Sequence, residues 1–281
     1  MQINNMLVSE SFQYTTDKTD MLARMNEIMD FAEIVSYCLE VEEKVIYNDD
    51  VLWSVYVEEE INFVDWLYSG LGKGREEDRR LFLELISKQE LISYEKSVSN
   101  ENDIYIALGE YENAVSSKSE YVSERRNILA GIRDVMEYEQ FMHSCFLNSH
   151  FADNILDEMR YIKNFSDYTE EITKCLSILN DEAIELYEEY HDDLKTAMAI
   201  LQSKLRKCSP DSKNAKFLKY PFKYYEQIDG KNIARIKMIE CSPHLKLIRE
   251  DSNLRIYFSW KDTEIDNGEK VLVGRIGRHP Y

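Results

Sequence analysis

The residues best suited to chemistry gather near the C-terminus. His244 and His279 can move protons, Arg249, Arg255, Arg275 and Lys246 can hold a phosphate, and Tyr257 and Tyr281 can stack on a base or donate a proton. Cleavage of RNA by the neighbouring 2′-hydroxyl needs a base, an acid and cations on the phosphate, and these residue types supply each. The expected catalytic set is His244, Arg255, Tyr257 and His279. The expected nucleic-acid contacts are Lys246, Arg249, Arg275, Arg278 and Tyr281. Alternation along a strand places Arg255 and Tyr257 on one face, opposite Leu254, Ile256 and Phe258. The same residues would also serve a basic sheet that binds nucleic acid without cutting it.

Other constellations are poorer. Cys241-Ser-Pro-His244 has metal-ligand spacing, and Cys208 or His279 could complete a zinc set, but no second paired motif supports it. Glu188-x-x-His191 is half of a di-iron bundle motif without its partner, so His191 is expected to be a core histidine. Ser69-Gly-Leu-Gly-Lys-Gly74 lacks the Walker spacing and a preceding strand, and reads as a helix connection. No metal and no cofactor is therefore expected.

Charge shows how the chain positions these residues. Residues 1–202 hold 17 Lys+Arg against 43 Asp+Glu, and residues 203–281 hold 17 against 10. All four prolines, Pro210, Pro221, Pro243 and Pro280, lie in the basic part. Opposite fields on two segments point to one that meets a polyanion and one that repels or imitates it. No apolar run approaches the roughly 18 residues of a membrane span, and Met1-Gln-Ile-Asn-Asn5 lacks the pattern of a signal peptide. Five widely spaced cysteines fit free thiols. A cytoplasmic protein with no membrane partner is the expectation.

The acidic part reads as helical. Breakers are scarce, and apolar residues recur at spacings of three and four over residues 18–46, 51–68, 75–88, 119–146 and 151–162. Asp167 with Glu170 reads as a variant capping box, and Asn180-Asp181 as a restart or kink. A final seam runs through Ile184, Tyr187, His191, Leu194, Met198, Leu201 and Leu205. The outer face of this helix carries Glu182, Glu185, Glu188, Glu189, Asp192 and Asp193, either a solvated face or a docking surface for something basic. Residues 89–118 show little periodicity.

Past the breaker-rich Lys207–Asn214 the period becomes two. Lys216–Glu226, Asn232–Glu240, Asn253–Trp260 and Val271–Ile276 read as strands, most simply an antiparallel meander. The expected fold is α+β: a large all-α acidic helical bundle domain over 1–207, then a small basic antiparallel β-rich domain over 208–281.

The run His244-Leu-Lys-Leu-Ile-Arg249, then Leu254-Arg-Ile-Tyr-Phe258, then Val271-Leu-Val-Gly-Arg-Ile-Gly-Arg-His-Pro-Tyr281 resembles the C-terminal half of RelE/ParE-superfamily toxins. Members of that superfamily include ribosome-dependent mRNA endonucleases. The resemblance covers roughly the last 40 residues. It departs from the family in lacking the usual compact helical hairpin just before these strands and in its Arg-His-Pro-Tyr ending. Together with the charge split it implies a bacterial toxin-like or phage-defence effector whose basic tail binds or cleaves nucleic acid, RNA ahead of DNA, restrained or positioned by the acidic helices, which offer a face to a protein partner. The rival reading is a non-enzymatic nucleic-acid-binding or scaffold subunit of a defence or DNA-processing assembly, and a further one has the acidic body imitating DNA.

Overall fold

A computed structural model describes residues 3–13, 21–72, 76–87, 91–93, 102–205, 208–209, 218–228, 230–247 and 253–280. The chain divides into two compact units, Met1–Arg125 and Arg126–Tyr281.

The first unit is an α/β layer, not a bundle. Its first strand, β1 (Asn4–Leu7), is followed by α1 (Met21–Glu40), β2 (Val45–Tyr47), α2 (Asp49–Leu52), a short hairpin β3 (Tyr56–Glu58) and β4 (Ile61–Asn62), α3 (Glu76–Ser87), β5 (Leu91–Ser93) and β6 (Asp103–Ile106). The four sheet strands run in the order β5-β2-β1-β6, every pair parallel. Parallel strands need long crossovers, and α1 and α3 supply two of them. Phe12, Phe31, Phe63 and Phe82, all buried, form the aromatic core, with ring centroids 5.1–6.5 Å apart. A second buried group pins β1: Arg125, fully enclosed, reaches Glu43 at 2.5 and 3.0 Å and donates to the Tyr121 hydroxyl, which donates to Asn5 Oδ1 at 2.8 Å.

The second unit begins within α4 (Lys118–Gly131). Then come α5 (Val135–Cys145), β7 (Ser149–Phe151), α6 (Ile155–Met159), α7 (Thr169–Tyr190), α8 (Leu194–Leu205), β8 (Cys208–Ser209), a long hairpin β9 (Lys219–Ile228) and β10 (Lys231–Glu240), β11 (His244–Lys246), β12 (Leu254–Ser259) and β13 (Val271–Arg278). The main sheet has the order β7-β13-β12-β11-β8. Its β11–β12–β13 core is an antiparallel meander, while β7 joins β13 in parallel. Among the described residues β9 and β10 form a two-stranded sheet of their own, and Tyr220, Phe222 and Ile239 of the hairpin pack with Cys241, Tyr257, Leu272 and Ala152.

The expected α+β arrangement, with an all-α N-terminal domain before a separate β domain, is thus overturned. Residues before position 208 supply a whole parallel sheet and strand β7 of the C-terminal sheet. Residues 51–68, expected as one helix, contain the β3–β4 hairpin. Residues 119–146 are two helices, because Asp134 leaves the helical path and caps α5 by accepting from Met136 and Glu137 N–H groups.

The final seam is likewise divided. α7 ends at Tyr190, and Asp193 then accepts from the backbone and hydroxyl of Thr196 at the start of α8. His191, expected in the core, lies exposed in the break. Asn180 does not restart α7. It is buried within that helix, and its Oδ1 accepts from Asn148 N–H and the Ser149 hydroxyl. Asp167 forms no capping box, since Tyr168 takes the N-cap position without a side-chain cap. Among the described residues no helix is long and apolar enough to cross a membrane.

Candidate nucleic-acid interface

The pairing of three strands decides which side chains share a face. Opposed residues of an antiparallel pair lie on the same side of the sheet, and successive residues alternate. His244 opposes Tyr257, Lys246 opposes Arg255, Tyr257 opposes Arg275, and Arg255 opposes Gly277. His244, Lys246, Arg255, Tyr257 and Arg275 therefore converge on one face, and His279 joins them through a hydrogen bond between its Nδ1 and the Tyr257 hydroxyl at 2.9 Å. The ring of His244 lies 5.0 Å from that of Tyr257.

A β-bulge between Tyr257 and Phe258 leaves Gly274 outside the paired register. A Cβ at Gly274 would lie 2.5 Å from Tyr220 and 2.7 Å from the Cys241 sulfur. The glycine thus lets the β9–β10 hairpin close over Tyr257, which is fully buried. Farther along the same face Lys246, Arg255, Arg275 and His279 remain partly open to solvent.

Burial and the surrounding cations hold both imidazoles neutral. His244 is pushed down to about 4, first by burial and then by Lys246, Arg255 and His279, against a backbone hydrogen bond to the Ser242 carbonyl that favours the proton. His279 is lowered by burial and by the charges of Arg255, Arg275 and Lys246. Burial likewise lowers Arg255. The counter-charge comes from α6: Glu158 meets the Arg275 guanidinium at 2.9 Å. The Tyr220 hydroxyl, whose pKa burial raises, also hydrogen-bonds Arg275. The face can therefore hold one or two anionic oxygens and present a neutral imidazole beside them.

Of the residues the sequence singled out, six meet here: His244, Lys246, Arg255, Tyr257, Arg275 and His279. Arg278 does not. It opposes Leu254 and so sits on the other side of the sheet. Arg249 and Tyr281 lie outside the described residues. Glu158 and Tyr220 were not foreseen. Both reach Arg275 across more than fifty positions, and nothing in local spacing signals such a contact.

Cys241 is enclosed by the hairpin core, and burial raises its thiol. Among the described residues no group of three His, Cys, Asp or Glu could hold a metal ion. The glycine-rich loop at 69–72 is held by Arg79, which donates to the Trp66 and Gly72 carbonyls. The acidic face of α7 touches a different cation: Glu188 hydrogen-bonds Lys261, whose ammonium also sits over the Tyr187 ring.

Comparison with protein-family models, curated proteins and solved structures returned no match.

Proposed function

We propose that the β11–β12–β13 face binds RNA through a backbone phosphate and that His279 promotes its cleavage, in a toxin-like or defence effector of the RelE/ParE kind. The observation that carries this reading is the Tyr257–His279 hydrogen bond set among Lys246, Arg255 and Arg275. The three cations would take the charge that develops on the phosphate oxygens. Burial and then those same cations lower the pKa of His279 further, which favours the unprotonated state a base requires. With Nδ1–H donating to Tyr257, Nε2 accepts the 2′-hydroxyl proton. The 2′-oxygen then attacks phosphorus and the bond to the 5′-oxygen breaks. That oxygen takes a proton from water, and the hydroxide so formed takes the proton held on Nε2, leaving a cyclic phosphate, a 5′-hydroxyl and a neutral imidazole.

A second reading, binding without cleavage, draws on the burial of Tyr257 and His244, which leaves His279 as the more open imidazole. Incubating the full chain with ribosomes and 5′-labelled mRNA separates the two. Discrete fragments lost in both Arg255→Ala and His279→Ala support cleavage. Retention of intact RNA, lost in Arg255→Ala and kept in His279→Ala, supports binding alone. No retention and no fragments contradict both.

A further inference from the structure

The side of the sheet opposite this face carries a cleft of about 230 Å³, lined by Ile162, Lys163, Tyr168, Asn253, Leu254 and Arg278. Four pieces of chain build it: the turn after α6, the start of α7, and the paired ends of β12 and β13. It adjoins the proposed phosphate site through the backbone itself. Arg278 precedes His279, whose N–H donates to the Asn253 carbonyl at 2.8 Å, and the Leu254–Arg278 pair follows the Arg255–Gly277 pair in register.

The lining has a chemical bias. Lys163 and Arg278 are exposed, and among the described residues neither forms an ion pair with a carboxylate. The contrast with Arg275 is direct, since Glu158 already neutralises that side chain. Two cations without a carboxylate partner among the described residues, set in a concave site, fit an anion. Tyr168 adds a half-buried aromatic ring, and Asn253 adds an amide. A cation pair beside an aromatic ring and an amide matches a nucleotide: phosphate on the cations, base stacked on the ring, base edge on the amide.

We infer that this cleft is a second nucleotide subsite, which holds the residue of an RNA strand adjoining the one on the β11–β12–β13 face. The inference rests on the reading of that face as an RNA phosphate site. The strand would cross the end of the sheet where β12 begins and β13 finishes, so that consecutive nucleotides meet opposite faces. It gives Arg278 a role on the far side from Arg255 and Arg275, and it gives Tyr168 and Lys163 a role that the strand pattern alone does not indicate.

The test uses the full chain and fluorescein-labelled oligouridylate, with binding followed by anisotropy over a range of salt. Tyr168→Ala is expected to weaken binding about fivefold or more, the value of one lost stack, and Tyr168→Phe to keep it. Lys163→Gln and Arg278→Gln are each expected to lower the slope of log affinity against log salt by about 0.7. A merely structural role for these side chains would not move that slope. The parallel arm is Arg255→Ala. If Arg255→Ala loses affinity while all the cleft variants bind like the unaltered chain, the cleft inference is overturned and the face reading stands. If the unaltered chain binds no oligonucleotide, both are overturned.

Discussion

His244 shows what the sheet does to a single side chain. Its imidazole is buried against Tyr257 with cations nearby, and its pKa falls to about 4, whereas an unfolded chain holds the proton near the ordinary 6.5. Between these values the unfolded state binds more protons, so stability is fully present above the ordinary value and drains away as pH falls through the folded one. Urea unfolding at pH 7.5 and pH 4.5 should therefore show a loss of up to roughly 3 kcal/mol from this group. His244→Phe should flatten that part of the profile, and an unchanged slope would show that the imidazole is not held neutral. Gly274 is a second residue whose effect is local. A methyl there meets Tyr220 and Cys241 inside contact distance, so Gly274→Ala should cost about 1–3 kcal/mol by overpacking. Thermal unfolding of that variant at the unaltered midpoint would show that the hairpin gives way freely.

Among the elements, α6 has the most to say about the proposed activity. It places Glu158 on Arg275, so under the proposed function this carboxylate competes with the RNA phosphate for that guanidinium. Glu158→Gln keeps a hydrogen-bonding group but removes the competing charge. RNA affinity should rise severalfold at low salt, with a stability loss of about 1 kcal/mol. Affinity unchanged or lowered would mean that Glu158 only orients Arg275.

The elements also show which parts of the chain were legible. The tail strands were read from their period because β9, β10 and β12 are six to ten residues long. The parallel sheet was missed because β1, β2, β5 and β6 have only three or four residues. In β1 three successive residues, Asn5, Met6 and Leu7, are buried, so no alternation appears. Residues 51–68 misled for a related reason. Trp53, Val57, Ile61, Val64 and Tyr68 keep helical spacing, but the unit buries Phe63, Trp66 and Leu67 instead. Strand alternation, a local rule, placed Arg255 and Tyr257 on one face and could have shown that Arg278, three positions from Arg275, leaves it, whereas the arrival of His244, Lys246 and Arg275 depended on the register between β11, β12 and β13.

At the scale of the molecule, the charge split no longer marks two folds. The acidic part contributes a parallel sheet, several helices and a strand of the basic sheet, and the acidic face of α7 meets Lys261 rather than the candidate site. The first unit depends on a buried charge of its own. Glu43→Ala would leave the enclosed Arg125 without its carboxylate, and should destabilise that unit by about 3–5 kcal/mol. Hydrogen exchange across residues 4–7 and 45–47 would detect this, and unchanged protection would show that the pair is not needed.

The central claim is that the face formed by Lys246, Arg255, Arg275 and His279 acts on RNA phosphate. The most direct measurement is the salt dependence of RNA binding by the full chain and by Arg255→Ala. Binding is expected with a log–log slope of about −2 from the three cations of this face, steeper by about 0.7 for each cleft cation that also engages the strand, and with a shallower slope and lower affinity in the variant. Binding that ignores salt and Arg255, or no binding at low salt, would contradict it.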